Sequence, residues 1–302
     1  MKKGWIPLLA LPVIWGSYYV ASHHALAFMS VFSVGVVIRA LTLVFLTALM
    51  GAKGELHSLL RLEHIFKWLC MIGLMGFLLD ATAFIGLQLS PAGIGTALLK
   101  CDVLMVNAIS VVVYKERFTK TDWLLTLGML FGVFMLLGID FRHMELFNPG
   151  NIFFILSALF VSINAFLIQH VQRHPVNPAG DMVIAYYNNL ITLVLFMLAA
   201  LVTGQAAQLR DVFSGGELGA ALLLSGIGQT LIYIVYYHNL RTHPVWLVKV
   251  VLLLMPIVSA LLSLVIFGEQ MTAIQVIGLV IVLLGAMCIL VSRHRREAAR
   301  AE

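Results

Sequence analysis

Four charged residues of the sequence lie inside long apolar stretches, where a charged side chain needs a partner or a ligand. Arg39 lies near the middle of one stretch and Asp80 near the middle of the next, while Lys100 and Asp102 share a third. Two bases and two acids could bind a small zwitterionic or carboxylate-bearing molecule. Asp80 or Asp102 could also carry a proton, because a buried carboxyl group without a partner favours its neutral form.

The same four residues allow a structural interpretation, in which they neutralise one another and only join neighbouring helices. Neutral polar and aromatic residues in other apolar stretches would complete a binding cavity, since tyrosine rings and amide groups are typical of small-molecule sites. These further candidates are Tyr19, Asn164, Tyr187, Asn188, Gln229 and Tyr233. The sequence thus predicts a cavity with one charged wall and one neutral, hydrogen-bonding wall, or else a self-neutralised cluster.

The composition shows what kind of element must position these residues. Hydrophobic residues make up 61% of the 302-residue chain and charged residues 11%, and the mean hydropathy is +1.01. A soluble domain usually contains about 25% charged residues, so the composition predicts an integral membrane protein. It excludes a soluble enzyme, a nucleic-acid-binding protein and a secreted disulfide-rich module. Cys70, Cys101 and Cys288 have no metal-ligand spacing, and we expect neither a metal nor a cofactor.

Apolar windows in the sequence are long enough for membrane-spanning helices, which need about 20 residues each. Ten windows are predicted, at residues 5–26, 31–50, 67–89, 93–114, 122–139, 151–172, 182–203, 217–240, 245–267 and 273–292. Glycine, proline, asparagine and charged residues separate them. The fold class predicted is therefore all-α, with ten transmembrane helices and no additional soluble domain.

Lysine and arginine residues predict the orientation of these helices. Fourteen of the 19 lie on the side of the two termini, two on the opposite side, and three within the windows. Basic loops remain in the cytoplasm, so both termini should be cytoplasmic and the protein should reside in the inner (plasma) membrane as a multi-pass protein. Lys249 then lies about 10 Å from the middle of its window, toward the cytoplasm. It could extend to the membrane interface or line a basic vestibule, and with Lys100 it would favour an anionic group.

The two halves of the chain align when one is shifted by 153 residues. The pairs that then coincide are Gly73 with Gly226, Leu87 with Leu240, Pro91 with Pro244, Ser110 with Ser263, Glu116 with Glu269, and Thr119 with Thr272. We therefore predict a first repeat at 1–145, a second at 146–292 and a basic tail at 293–302. Because each repeat has five spans, the second is inverted in the membrane, as in transporters that alternate access around a midplane site.

Several of these positions carry a family resemblance. They are residues 15–17 (Trp-Gly-Ser), Arg39, residues 116–119 (Glu-Arg-Phe-Thr), Pro256 and residues 269–272 (Glu-Gln-Met-Thr). The chain resembles the EamA family of the drug/metabolite transporter superfamily. It departs from the family pattern at Val103, which occupies the position that Pro256 has in the second half. The resemblance implies ten helices in two inverted repeats and export of small molecules, without indicating which ones.

The function predicted is secondary-active export of small polar metabolites that are zwitterionic or carry carboxylates, such as amino-acid-like compounds. Export would proceed by alternating access around a midplane cavity, with proton coupling as one option. The alternative on the same fold is efflux of cationic drugs, although the first window contains no acidic residue. A non-transport membrane protein is the third interpretation, but no catalytic constellation favours an enzyme. The expected partners are the substrate and the lipid bilayer, and no nucleic acid is expected. A monomer is sufficient for this function, and a dimer is an alternative.

Overall fold

The apolar stretches of the sequence fold into α-helices in the computed structural model, which describes residues 5–89, 98–139, 148–213, 215–267 and 271–301. No strand occurs within these ranges. The helices are α1 (Trp5–Leu26), α2 (Val31–Ala52), α3 (Phe66–Leu89), α4 (Asp102–Val112), α5 (Lys120–Leu136), α6 (Pro149–Gln172), α7 (Asp181–Val202), α8 (Gly216–Thr242), α9 (Val245–Leu252), α10 (Met255–Phe267) and α11 (Ala273–Ala301). Two 3-10 helices, Leu56–Leu60 and Gln205–Phe213, follow α2 and α7.

Within the described residues, six helices are long and apolar enough to cross a membrane: α1, α2, residues 66–83 of α3, α6, α7 and α8. To this extent the predicted all-helical membrane architecture is confirmed. The remaining predicted windows contain the shorter helices α4, α5, α9 and α10 and the apolar first part of α11, Ala273–Ile289. The window at 93–114 begins outside the described residues, and the window at 245–267 is divided between α9 and α10. Helix α11 continues through most of the segment predicted as a separate basic tail.

The helices form two compact units. Unit 1 contains Met1–Ala81 and Ile163–Pro244, and unit 2 contains Thr82–Ser162 and Val245–Glu302. In unit 1, α1 packs against α8, and α2 packs against both α7 and α8. In unit 2, α5 packs against α11 and α4 packs against α9. Each unit therefore combines one segment from either half of the chain, whereas the predicted repeats follow one another along it.

Glycines allow close helix contacts in both units. In unit 1, a Cβ atom on Gly73 of α3 would lie 2.5 Å from Cβ of Ile191 on α7, and one on Gly226 of α8 would lie 2.8 Å from Cβ of Leu41 on α2. Real Cβ atoms do not approach other carbons so closely, so these crossings require glycine. Small residues at such positions bring helices together in membranes, where packing rather than water exclusion drives association.

Two of the helical windows are interrupted at equivalent positions. Residues Lys100 and Cys101 form a turn before α4, and Leu253 and Leu254 form a turn between α9 and α10. The turns are 153 residues apart and have matching hydrogen bonds. The amide nitrogens of Cys101 and Leu254 each donate to a carbonyl oxygen three residues earlier, on Leu98 and Val251, at 3.0 Å in both cases. Such tight turns mark local breaks in a helix.

Proline alone does not explain these interruptions. Pro256 lacks an amide hydrogen and lies just after the second turn, which removes one helical hydrogen bond there. Val103 stands at the equivalent position of the first turn and has an amide, but it donates to the Lys100 carbonyl oxygen at 3.3 Å, three residues earlier. The first turn therefore forms without a proline, although the sequence departs from the family pattern at this position.

Candidate functional site

The charged residues predicted from the sequence form one group in each unit. In unit 1, Arg39 from α2 bridges α3 and α8: one guanidinium nitrogen contacts Asp80 Oδ2 at 2.6 Å and another donates to the Tyr233 hydroxyl. The backbone oxygen of Arg39 accepts a hydrogen bond from Asn189 Nδ2 at 2.7 Å. The Arg39 and Asp80 side chains are 10% and 22% exposed. This group is therefore electrically neutral and closely hydrogen-bonded.

A polar network on α7 and α8 adjoins this ion pair within unit 1. The ring of Tyr233 contacts that of Tyr237 edge to face, with centroids 5.4 Å apart. Asn188 Nδ2 donates to the Tyr237 hydroxyl at 2.7 Å, and Thr192 Oγ1 donates to Asn188 Oδ1 at 3.3 Å. Because tyrosine and asparagine each have both donor and acceptor capacity, this network can hold a fixed arrangement around Arg39.

In unit 2, the ion pair joins α4 to α9. Lys249 Nζ lies 2.8 Å from Asp102 Oδ2, with side-chain exposures of 2% and 13%. The backbone oxygen of Asp102 also accepts a hydrogen bond from Ser162 Oγ at 3.2 Å. Lys100 lies two residues before Asp102, in the turn that precedes α4, and its ammonium lies 3.7 Å from the sulfur of Met255. Met255 begins α10, just after the other turn, so unit 2 brings the two interruptions together.

These pairings differ from the simplest sequence expectation, in which Arg39 and Lys100 balance Asp80 and Asp102. Asp102 pairs with Lys249, for which the sequence left two positions open, one at the membrane interface and one in a vestibule. The buried Lys249 ammonium does not extend to an exposed position. Lys100 is half-buried and contacts a thioether, a weak acceptor.

The other predicted residues are distributed within unit 1. Asn164 and Gln229 are buried at 6% exposure, and the Asn164 side-chain oxygen has no hydrogen-bond partner within the described residues. The Tyr187 hydroxyl donates to the backbone oxygen of Leu59 at 2.8 Å, in the first 3-10 helix. Tyr19 belongs to α1, but its side chain lies outside the described residues.

Two contributors were not among the residues singled out from the sequence as site candidates. Tyr237 accepts the hydrogen bond from Asn188, and Met255 contacts Lys100. The repeat could have indicated Met255, because it stands 153 residues after Asp102 and therefore occupies the equivalent position. Among the described residues, no group of three or more His, Cys, Asp or Glu side chains is placed to hold a metal ion.

Comparisons with known proteins support a membrane transport fold. The model of the EamA-like transporter family matches residues 2–138 and 148–291. A curated relative from Salmonella typhimurium, named "Probable amino-acid metabolite efflux pump", is 22% identical over 302 residues, covering 99% of this chain and 98% of its own. A crystal structure with 20% sequence identity superposes with a TM-score of 0.80 and covers 97% of this chain and 98% of its own, which shows a shared fold.

Proposed function

The chain belongs to the EamA-like transporter family, and from that premise we propose that it is a secondary-active exporter of small polar metabolites. The substrates would be zwitterionic or carboxylate-bearing compounds of amino-acid-like size. The observation that carries this proposal is the charged group of unit 2, where Lys100 and the Lys249–Asp102 pair lie at helix interruptions. Interrupted helices that hold charged groups are the usual substrate or ion sites of secondary transporters.

We propose ten membrane-spanning helices in two inverted repeats. The six long apolar helices support this count, as does a family match that falls in two segments, 2–138 and 148–291. The matching turns at 100–101 and 253–254 support the internal repeat. The equivalent glycines Gly73 and Gly226 support it as well, because each allows a close helix contact in unit 1.

The proposed location is the plasma membrane, with both termini in the cytoplasm. The asymmetric distribution of Lys and Arg between the two sets of loops supports this orientation, and the relative's name as an efflux pump is consistent with it. We propose no catalytic step, because members of this family are transporters.

Alternating access is the proposed mechanism. A zwitterionic substrate would place its carboxylate near a basic residue of the cavity and its ammonium near an acidic one. These contacts would replace the hydrogen bonds with water that the substrate loses on entering the cavity. Proton exchange on an aspartate could couple export to the proton gradient. Asp102 is better suited than Asp80 for this role, because Asp80 faces an arginine that remains charged at any physiological pH. Protonating Asp80 would leave the buried Arg39 charge without its counter-ion.

Efflux of cationic drugs is the alternative function for the same fold. The charges around the two turns of unit 2 disfavour it, since Lys100 and Lys249 outnumber Asp102 there and would repel a cation. No acidic residue occurs in α1 either. In contrast, the amino-acid efflux named for the Salmonella relative is compatible with a carboxylate-binding, positively charged group.

The test is an excretion profile. Bacteria that express the protein and bacteria with an empty vector would be grown in minimal medium, and external metabolites would be compared by mass spectrometry. We expect compounds with a carboxylate group to accumulate outside the expressing cells and Lys100→Ala to remove this accumulation. Lys53→Ala, at an exposed lysine after α2, is the matched control. Unchanged external metabolites together with increased resistance to quaternary ammonium compounds would favour drug efflux instead.

A further inference from the structure

We propose that Lys100 binds a single carboxylate group, of charge −1, at the turns where the two interrupted helices of unit 2 meet. This inference deepens the proposed function and rests on it, because it assigns the chemical group and the residue that contacts it. It also distinguishes Lys100 from Lys249 and Arg39, which we assign to internal ion pairs.

The charge around the two turns of unit 2 is unbalanced. The charged residues at 98–112 and 245–255 are Lys100, Asp102 and Lys249, whereas the buried Asp122 of the same unit lies at the start of α5 and accepts a hydrogen bond from the Thr119 amide. Asp102 neutralises Lys249 at 2.8 Å, which leaves one positive charge on Lys100. An uncompensated charge is costly in an apolar environment. A carboxylate group beside Lys100 would neutralise this charge locally, and amino acids carry such a group.

Access differs between the two lysines. Lys249 is 2% exposed and its ammonium points at Asp102, so an incoming ligand would have to break this ion pair to reach it. Lys100 is only half-buried as a residue, so its side chain is less enclosed than that of Lys249. The less buried lysine is therefore also the one that forms no ion pair within the described residues.

The hydrogen-bonding capacity of Lys100 points in the same direction. An ammonium group has three donors, and the contact observed for Lys100 in the described part of the chain is the Met255 sulfur at 3.7 Å. A thioether accepts hydrogen bonds weakly, whereas a carboxylate forms short charge-assisted bonds with an ammonium group. A bound carboxylate would therefore supply both the missing charge and the missing acceptors.

Arg39 in unit 1 is a cation whose partners are all supplied by side chains of the protein. Its guanidinium has Asp80 and Tyr233 as partners, and its helix position is fixed through Asn189. A carboxylate ligand would gain little there because Asp80 already fills that role. The single local charge of Lys100 also predicts selectivity: a phosphate group with two negative charges would leave one of them uncompensated there, so phosphate esters should bind less well than carboxylates.

The experiment measures thermal stabilisation of the purified full-length protein in detergent by matched ligands, since a ligand that binds the native state raises its stability. The probes are the standard L-amino acids, each compared with its own α-amide, in which a neutral amide replaces the carboxylate, together with O-phospho-L-serine. We expect at least one amino acid to stabilise the protein, its amide to stabilise it less, and phosphoserine less than serine. In Lys100→Met the dissociation constant should rise about ten- to hundred-fold, from loss of one charged hydrogen bond.

Lys100→Arg should retain binding, because it keeps the positive charge, and the exposed Lys53→Met should behave as the wild type. Equal stabilisation by an acid and its amide, or unchanged binding to a folded Lys100→Met variant, would overturn the site and leave the export function standing. Failure of every amino acid to stabilise the wild type would also overturn the site. The export function is decided separately by the excretion profile.

Discussion

Arg39 and Lys100 are both cations within apolar segments, yet their surroundings give them different roles. Arg39 has an acidic partner and a tyrosine hydroxyl within its own unit, and its planar guanidinium suits two partners at once. Lys100 has a compact ammonium and a methionine sulfur nearby. The first arrangement holds helices together, and the second leaves a charge that a ligand can neutralise.

The Arg39–Asp80 pair should contribute to stability mainly by avoiding an unpaired charge. We expect Arg39→Met to destabilise the protein by about 3 kcal/mol, because Asp80 then remains buried without its counter-ion. The double variant Arg39→Met/Asp80→Asn should recover most of this loss. Equilibrium unfolding in mixed micelles measures both, and a double variant as unstable as Arg39→Met would show that the two residues are not coupled.

The two lysines of unit 2 should differ in the same kind of measurement. Lys249→Met leaves Asp102 unpaired and should cost about 3 kcal/mol of unfolding free energy. Lys100→Met leaves no acidic group unpaired in the described part of unit 2, so stability should stay equal or rise. Comparing the unfolding midpoints of the two variants without ligand tests this difference. A larger loss for Lys100→Met would mean that Lys100, rather than Lys249, is the structural partner of Asp102.

Sequence reasoning identified the charged residues but could not pair them. The apolar stretches alone single out Arg39, Asp80, Lys100 and Asp102, because any charge there is unusual. Pairing depends on which helix faces meet, and Lys249 lies 147 residues from Asp102. The depth of Lys249 along its own window left open whether it reaches the membrane interface or lines a vestibule, and only tertiary packing reveals its acidic partner.

At the scale of elements, the interruptions of two helices are the feature that positions the unit 2 charges. The turn at 100–101 places Lys100 beside Met255, which follows the turn at 253–254. Continuous helices would not bring these side chains together in the same way. The windows predicted the helices well because apolar length is a strong signal, but apolar length does not indicate where a helix is interrupted. Val103 stands where a proline would be expected, and the helix is interrupted there without one.

Helices α5 and α11 of unit 2 cross at glycines, which gives a test of the packing. A Cβ atom on Gly278 would lie 2.5 Å from the Gly132 carbonyl oxygen and 2.6 Å from the Leu136 amide nitrogen. Both are backbone atoms and cannot move aside easily. We expect Gly278→Ala to lower the unfolding free energy by about 1–3 kcal/mol, as measured by chemical denaturation in micelles.

The matched control is Gly128→Ala on α5, where a Cβ atom would have no neighbour within 4 Å. Because alanine favours a helix over glycine, this variant should be at least as stable as the wild type. Equal losses for Gly278→Ala and Gly128→Ala would show that helix propensity, and not the close crossing, determines the effect.

At the scale of the whole molecule, each compact unit is assembled from both halves of the chain. Unit 1 contains the neutral Arg39–Asp80 pair within its apolar helices, and unit 2 contains a net positive charge around Lys100. The sequence predicted the repeats from residue matches at a spacing of 153. It could not predict how segments of the two halves combine, since this depends on helix contacts far apart in the chain.

The measurement that tests the account most directly is solute counterflow in proteoliposomes that contain the purified protein. Liposomes loaded with an unlabelled amino acid found in the excretion profile would be diluted into the same labelled compound. We predict accumulation of label by the wild type, with little accumulation of the matching amide and at least about ten-fold less in Lys100→Met. Accumulation no greater than in protein-free liposomes would contradict export of such compounds by this chain.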